Sequence, residues 1–412
     1  MNRQRLLKRF LQYVQIDSKA NDQSEVYPSS PGQKELGKLL VGQLLEIGLK
    51  EARQDVNGIV IATVPGNLNR PAPVVAFNAH LDTSPETSGA NVRPNVIEKY
   101  EGGDIQLAGD KSKKILVSDC PELNRVVGHT LITTDGTTLL GGDDKAGVAI
   151  IMEIASHLME NPDIPHGDVR VVFTCDEEIG RGTAKCPPSL IKAKVCYTFD
   201  GGGCDIVDHE TFSADLATVT IEGQNIHPAI AKDRMVNAVR CAAIFVAQLP
   251  TEHSPERTAG RKGFLHPYTV EGGVARVVMK ILIRDFDAEK LDQHAELIRR
   301  AAAFTESEVA GCRVGLDIRR QYRNMAEGLA KEPRAVNYAI EAHKRLKREP
   351  RLEIIRGGTD GSQFTEQGLP TPNLSSGQHN IHSPMEWASL DEMESAVAVG
   401  TEIVRRWGED KA

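Results

Sequence analysis

The sequence predicts an α/β protein: a mixed, mostly parallel sheet flanked by helices, interrupted by a small inserted α+β module. Two observations carry this expectation. In the first half of the chain, short apolar runs rich in Val, Ile and Phe alternate with helical patterns, as strands covered on both faces by helices do. After Gly203 the runs lengthen and begin to alternate apolar with polar, and the first texture returns only near the C-terminal end.

The opening segment MNRQRLLKRFLQYVQIDS reads as an amphipathic helix with a basic face, its Leu6, Leu7, Phe10, Leu11 and Val14 recurring at helical spacing. It lacks the continuous apolar stretch and small-residue cleavage site of a signal peptide, so a packed first helix is expected rather than membrane contact. A helical pattern covers 32–47. Strands follow over 59–64 (IVIATV) and 73–78 (PVVAFN). Residues 145–160 (KAGVAIIMEIASHLME) read as a helix, and 168–174 (DVRVVFT) and 195–199 (VCYTF) as further strands. The glycines at 201–203 mark a tight turn. The module then runs strand 216–222, helix 236–249, strand 274–285, helix 291–308 and strand 312–318. Helices over 335–346 and 390–407 close the chain. The expected division is a framework of 1–211 and 324–412 around an insertion at 212–323.

Composition sets limits on function. The chain has 412 residues, 40% hydrophobic and 26% charged, which suits a globular protein with a sizeable core. Its 49 basic and 57 acidic residues give a net charge of -8, which argues against nucleic acid or anionic lipid as the main partner. No apolar run is long enough to span a membrane. Seven cysteines are scattered singly with no Cys-x-x-Cys pair, which points to reduced thiols in the cytoplasm rather than a disulfide framework or zinc finger.

Metal-ligand residue types gather at strand ends and in glycine-rich loops, where open α/β sheets form their sites. His80 and Asp82 follow the strand ending at Asn78 and point the same way in extended chain. The imidazole can bind a metal while the carboxylate orients it or reaches a metal itself; alone, His80 is equally a strand-end histidine bonded to backbone. In LLGGDDKAG, one of the adjacent carboxylates Asp143 and Asp144 can bridge two ions, or an aspartate there merely caps the helix that follows. Asp176, Glu177 and Glu178 end a buried strand, and their repulsion is relieved by a cation or by solvent. Of two consecutive acids, one can bind metal while the other stays free as a base. Asp200 ends another strand, and His382 sits in the loop NIHSPME. Together these donors suit zinc, with manganese or cobalt as substitutes. No Gly-x-Gly-x-x-Gly follows a first strand, and no His-Glu-x-x-His is present.

The runs HLDTSPETSG, GGDIQL, LITTDGTTLLGGDDKAG, IPHGDVRVVFTCDEEIG, YTFDGGG, NIHPAIAKDRMVNA, IRDFD, IRGGTDGSQ and GLPTPNL resemble the peptidase T branch of the co-catalytic zinc exopeptidases over nearly the whole chain. That clan also contains aminoacylases and glutamate carboxypeptidases. The resemblance implies a zinc exopeptidase-like catalytic domain with an inserted lid, a tripeptide aminopeptidase activity on short peptides, and two zinc ions per subunit. It implies His80 on one ion, Asp143 on both, Asp200 completing the first site, and Glu178 with His382 on the second. Asp82 would orient His80 and Glu177 would be the general base. His227, Asn225, Arg284, Arg356 and Gly358 would meet substrate, the last two in a loop with Gly357 and Thr359. The inserted lid resembles dimerising ones, so a homodimer is expected, with hinges near 210–216 and 319–324. Dipeptidase, carboxypeptidase and N-acyl amino acid hydrolase share the same chemistry and stand as alternatives, as does an inactive binding homologue. Ala229 and Ile230 depart from the small residues usual after the lid His-Pro. His379 precedes His382 by three residues, so the choice between them rests on the alignment alone.

Overall fold

The computed structural model describes residues 1–410, which fall into two compact units. The first comprises Met1–His209, Met325–Glu353 and the chain from Thr359 onward. The second comprises Glu210–Asn324 and Ile354–Gly358.

The centre of the first unit is a run of strands in the spatial order Val60–Val64, Val169–Thr174, Val75–His80, Val195–Gly202, Asn373–His379, Trp387–Ser389, Leu131–Thr133. The four from Val169–Thr174 to Asn373–His379 are mutually parallel, and the pairings outside them are antiparallel. Side-chain alternation divides their apolar residues between two layers. Phe77, Ala79, Val171, Phe173, Tyr197 and Phe199 face the larger core, under the helices Arg3–Val14, Pro31–Ile47, Gly142–Glu160 and Leu390–Glu409. Ala76, Val172 and Cys196 face the opposite layer with Ile191 and Phe364. A strand buried on both faces must be apolar throughout, which is why these runs do not alternate. The helix Gly142–Glu160 is buried on nearly every side, which explains the apolar run from Ala146 to Met152.

The first helix buries Leu6, Phe10, Tyr13 and Val14. Its basic face also turns inward. Arg5 Nε donates to Glu153 Oε2 at 2.7 Å, and Arg9 Nη1 donates to the Met152 carbonyl at 3.0 Å. Among the described residues, no helix is long and apolar enough to cross a membrane.

The second unit holds an antiparallel sheet in the order Phe264–Gly272, Arg276–Asp285, Ser213–Glu222, Arg313–Tyr322. The helices Ala238–Gln248 and Ala288–Glu308 cover one face, burying Val219, Ile221, Met279, Ile281, Phe245 and Ile298. Asn237 caps the first of these helices by accepting the Val239 N–H at 2.9 Å. The strand Phe264–Gly272 was not expected from the sequence. It contains Pro267 and is largely exposed, both consistent with its place at the sheet edge. The buried strand Asn373–His379 (NLSSGQH) was also unforeseen, because all its residues but Leu374 are polar or small. Several of its polar groups are satisfied by distant segments: Asn373 Nδ2 donates to Asp208 at 3.0 Å, and Ser376 Oγ to the Gly201 carbonyl at 3.0 Å.

One glycine fixes how closely the central helix meets the sheet. A Cβ on Gly147 would lie 2.1 Å from the Phe199 carbonyl oxygen and 2.5 Å from Asp144 Oδ1. Gly147→Ala is expected to destabilise the fold by about 1–3 kcal/mol through overpacking. The check is the midpoint of urea unfolding, which should fall with the slope of the transition unchanged.

Candidate metal centre

Because the four central strands run in parallel, their C-terminal ends lie along one edge of the sheet. His80 is the last residue of its strand, paired in register with Thr174, and is 1% exposed. Beyond Thr174 the chain turns through Asp176, whose φ of 61° is left-handed. That carboxylate faces inward, accepting from Ser29 N–H at 2.9 Å, Gln33 Nε2 at 2.7 Å and Arg181 at 2.8 Å. The run of three acids is thereby split, and only Glu177 and Glu178 reach the crevice. Asp200 stands near the end of the third strand, its Oδ1 accepting from Gln378 Nε2 at 3.2 Å. Asp143 opens the buried helix with non-helical φ and ψ of -80° and 107°. His382 lies past the fourth strand, with a left-handed φ of 62°.

These side chains converge. His80 Nε2 lies 3.0 Å from Asp143 Oδ1 and 3.8 Å from Asp200 Oδ1. His382 Nε2 lies 3.3 Å from Asp143 Oδ2 and 2.9 Å from Glu178 Oε2. Asp143 therefore offers one oxygen to each histidine. Glu177 Oε2 is 4.0 Å from His80 Nε2. Metal-competent triads are found at His80, Asp143 and Glu178, and at His80, Asp144 and Asp200. Asp144 was not singled out from the sequence beyond being the second of two adjacent acids. Its oxygens accept the His80 and Gly147 N–H groups, each at 3.2 Å, which leaves Asp143 as the freer carboxylate.

The electrostatics fit a cation pair. Burial, reinforced by Asp143, pushes Glu178 up to about 8 and Asp200 up to about 7. Glu177 is raised well above the usual carboxylate range, by burial first. Burial alone would lower the histidines, but Asp143 and Glu178 outweigh it and raise His382 to about 11. His80 is likewise raised by Asp143, Asp200 and Asp82 against the effect of burial. Glu178 Oε1 is buried with no hydrogen-bond partner. Four carboxyl groups around two imidazoles, with an orphaned oxygen among them, offer donors chemically suited to divalent cations.

Asp82 faces two neighbours. The nearest acceptor to His80 Nδ1 is the Asp82 backbone carbonyl at 3.1 Å, with the carboxylate at 3.5 Å. The carboxylate accepts the Glu177 N–H at 3.1 Å and the Glu178 N–H at 3.0 Å, so it braces the acidic turn as well. His379 stacks on Trp387 at 3.8 Å and bonds Glu392 at 2.7 Å, which removes it from contention with His382. Glu86 was not singled out from the sequence. It lies 3.4 Å from His382 Nδ1, while Thr87 Oγ1 donates to the His382 carbonyl at 2.7 Å.

The remaining predicted residues belong to the second unit. His227 and Asn225 are exposed there, and His227 Nδ1 accepts the Ala229 N–H at 3.2 Å. Arg356 Nη1 donates to the Gly260 and Lys262 carbonyls at 2.8 and 2.7 Å, between the rings of Phe212 and Phe264. Arg284 is buried and donates to the Asp215 carbonyl at 3.1 Å. Gly358 packs against Tyr322, whose Cζ would lie 2.3 Å from an added Cβ. Both arginines are thus held by backbone carbonyls of their own unit.

Comparison with known proteins finds relatives along nearly the whole chain. The family model for peptidase family M20/M25/M40 matches residues 140–406. Peptidase T of Geobacillus sp. strain WCH70 is 44% identical over 402 residues, covering 97% of this chain and 98% of that protein. The structure of a tripeptidase from Staphylococcus aureus superposes with a TM-score of 0.77 at 24% identity, covering 100% of both chains. A dinuclear metal-binding peptidase of the M20 family from Bacillus subtilis superposes at 0.63 with 17% identity over 98% of both.

The pKa shifts set a pH signature for metal uptake. Ligands must be deprotonated to bind, and Asp200 near 7 and Glu178 near 8 hold protons below those values. Apparent affinity for a divalent ion is expected to rise from about pH 6, with proton release, and to go on rising above 8, because His382, raised to about 11, must also lose its proton. Calorimetry in two buffers of different ionisation heat reads that release directly; pH-independent affinity would contradict it.

Proposed function

The chain belongs to peptidase family M20/M25/M40, and from that premise we propose a metal-dependent aminopeptidase that removes the N-terminal residue from tripeptides. The observation that carries the proposal is Asp143 between His80 and His382, one carboxylate oxygen facing each imidazole. His80, Asp143 and Asp200 would hold one divalent ion; His382, Asp143 and Glu178 would hold the other. Zinc fits the mixed imidazole and carboxylate donors, with manganese or cobalt as substitutes. Such a pair supplies Lewis acidity, acidifying a water toward neutral pH and polarising the scissile carbonyl.

Glu177 supplies the base. Its carboxylate lies beside the two sites at 4.0 Å from His80 without bonding Asp143, and burial raises its basicity. It takes the proton of the attacking water and returns it to the departing amine. Asp82 fixes its aim by gripping the two backbone N–H groups of the acidic turn. Contacts of His227 and Asn225 with substrate are supported by the family resemblance and by their exposure. The preference for tripeptides is supported by the named relatives. A cytoplasmic location is supported by seven cysteines without disulfides.

Incubation with di-, tri- and tetra-alanine and an N-acetylated tripeptide, with zinc or with a chelator, tests the proposal. Zinc-dependent release of the first residue, fastest from the free tripeptide, is the expected outcome. Cleavage of the acetylated peptide, or loss of the C-terminal residue, would overturn the aminopeptidase assignment while keeping the metal chemistry. Glu177→Gln is expected to lower kcat by about 10²–10⁴-fold with metal content unchanged.

A further inference from the structure

Glu386 is 1% exposed and lies four residues after His382. It touches none of the atoms that would face a metal. Its Oε2 accepts the backbone N–H groups of Leu140 and Gly141, each at 2.8 Å, and its Oε1 accepts the Asp143 N–H at 3.0 Å. These three donors belong to the turn that presents Asp143. A buried carboxylate is costly unless its lone pairs are filled, and here backbone amides of a single turn fill them.

The arrangement repeats one seen on the other side of the centre. The loop that carries His80 also carries Asp82, whose carboxylate accepts the backbone N–H groups of Glu177 and Glu178. The loop that carries His382 also carries Glu386, whose carboxylate accepts the backbone of the Asp143 turn. Each histidine loop thus braces the backbone of a turn that delivers a carboxylate. The turn at Asp143 needs bracing because the helix proper begins beyond it: Asp143 and Asp144 are non-helical, and Gly141 has no side chain to cap the helix.

We propose that Glu386 is a positioning residue for the metal centre: it couples the His382 loop to the Asp143 turn and so sets the orientation in which Asp143 spans both sites. The inference rests on the metal-centre reading above. Gln at this position keeps the shape but removes the charge and turns an N–H donor toward at least one of the three backbone donors. Orienting groups behind metal ligands are worth about 10–100-fold in metal affinity or activity.

The test uses cobalt(II) as the probe on apo-protein, wild type and Glu386→Gln, with a titration and the visible spectrum of the loaded centre. Wild type is expected to take up two equivalents. Glu386→Gln is expected to lose about 10–100-fold in affinity and to shift the cobalt bands. On peptide, kcat should fall with KM little changed. A variant that melts earlier yet has the wild-type cobalt spectrum and affinity would overturn the proposal, because its role would then be stability alone. Should Glu386→Gln not fold, Glu386→Asp, which keeps the charge and shortens the reach, is read in the same way. If the wild type takes up no cobalt pair, the proposed function fails and this inference with it. If the wild type takes up two cobalt ions and Glu386→Gln matches it in affinity and spectrum, the positioning role alone fails.

Discussion

Four carboxyl groups share a crevice with two imidazoles, largely out of reach of water. Asp143, Glu177, Glu178 and Asp200 cannot all ionise there without positive charge beyond what His80 and His382 provide. The raised values of Glu177, Glu178 and Asp200 express that imbalance. The proposed pair of divalent cations would relieve it, and the rest of the first unit holds the six groups together against their own repulsion.

Topology does most of that holding. Parallel strands place His80, the acidic turn, Asp200 and the His382 loop on one edge of the sheet without any long loop having to search for its position. The buried helix supplies Asp143 from the adjoining layer, and Gly147 lets that helix come close enough to the strand carrying Asp200. The last adjustment is made by carboxylates that do not face the centre. Asp176, Asp82 and Glu386 bond backbone amides or neighbouring side chains and aim the groups that do. Preorganisation of this kind spares the reaction the cost of assembling its own electrostatics.

Most of the framework was legible in the sequence, because strands buried on both faces and a helix buried all round leave long apolar signatures. Strand Val75–His80 and helix Gly142–Glu160 are examples. The strand Asn373–His379 was not legible. Its hydrogen bonds come from distant segments, and local periodicity cannot register them. At the centre, residue types and their positions at strand ends singled out the groups that the structure brings together. The bracing was less visible. Asp176 reads as one more acid in a run until its left-handed turn points it inward. Asp82 reads as a partner of His80, and its carboxylate is seen on the amides of the acidic turn as well. Arg284 and Arg356 read as substrate contacts, and the carbonyls around them come from segments far away in sequence. In each case the deciding contact is between backbone and side chain far apart in sequence.

The central claim is that Asp143 serves two metal sites while Asp200 and Glu178 serve one each. The most direct measurement is the number of zinc ions retained per chain after equilibrium dialysis, compared among wild type, Asp143→Asn, Asp200→Asn and Glu178→Gln. Two ions in the wild type, one in each of the latter variants and weakened binding at both sites in Asp143→Asn is the expected pattern. Full retention by Asp143→Asn, or a single ion in the wild type, would contradict a centre bridged by Asp143.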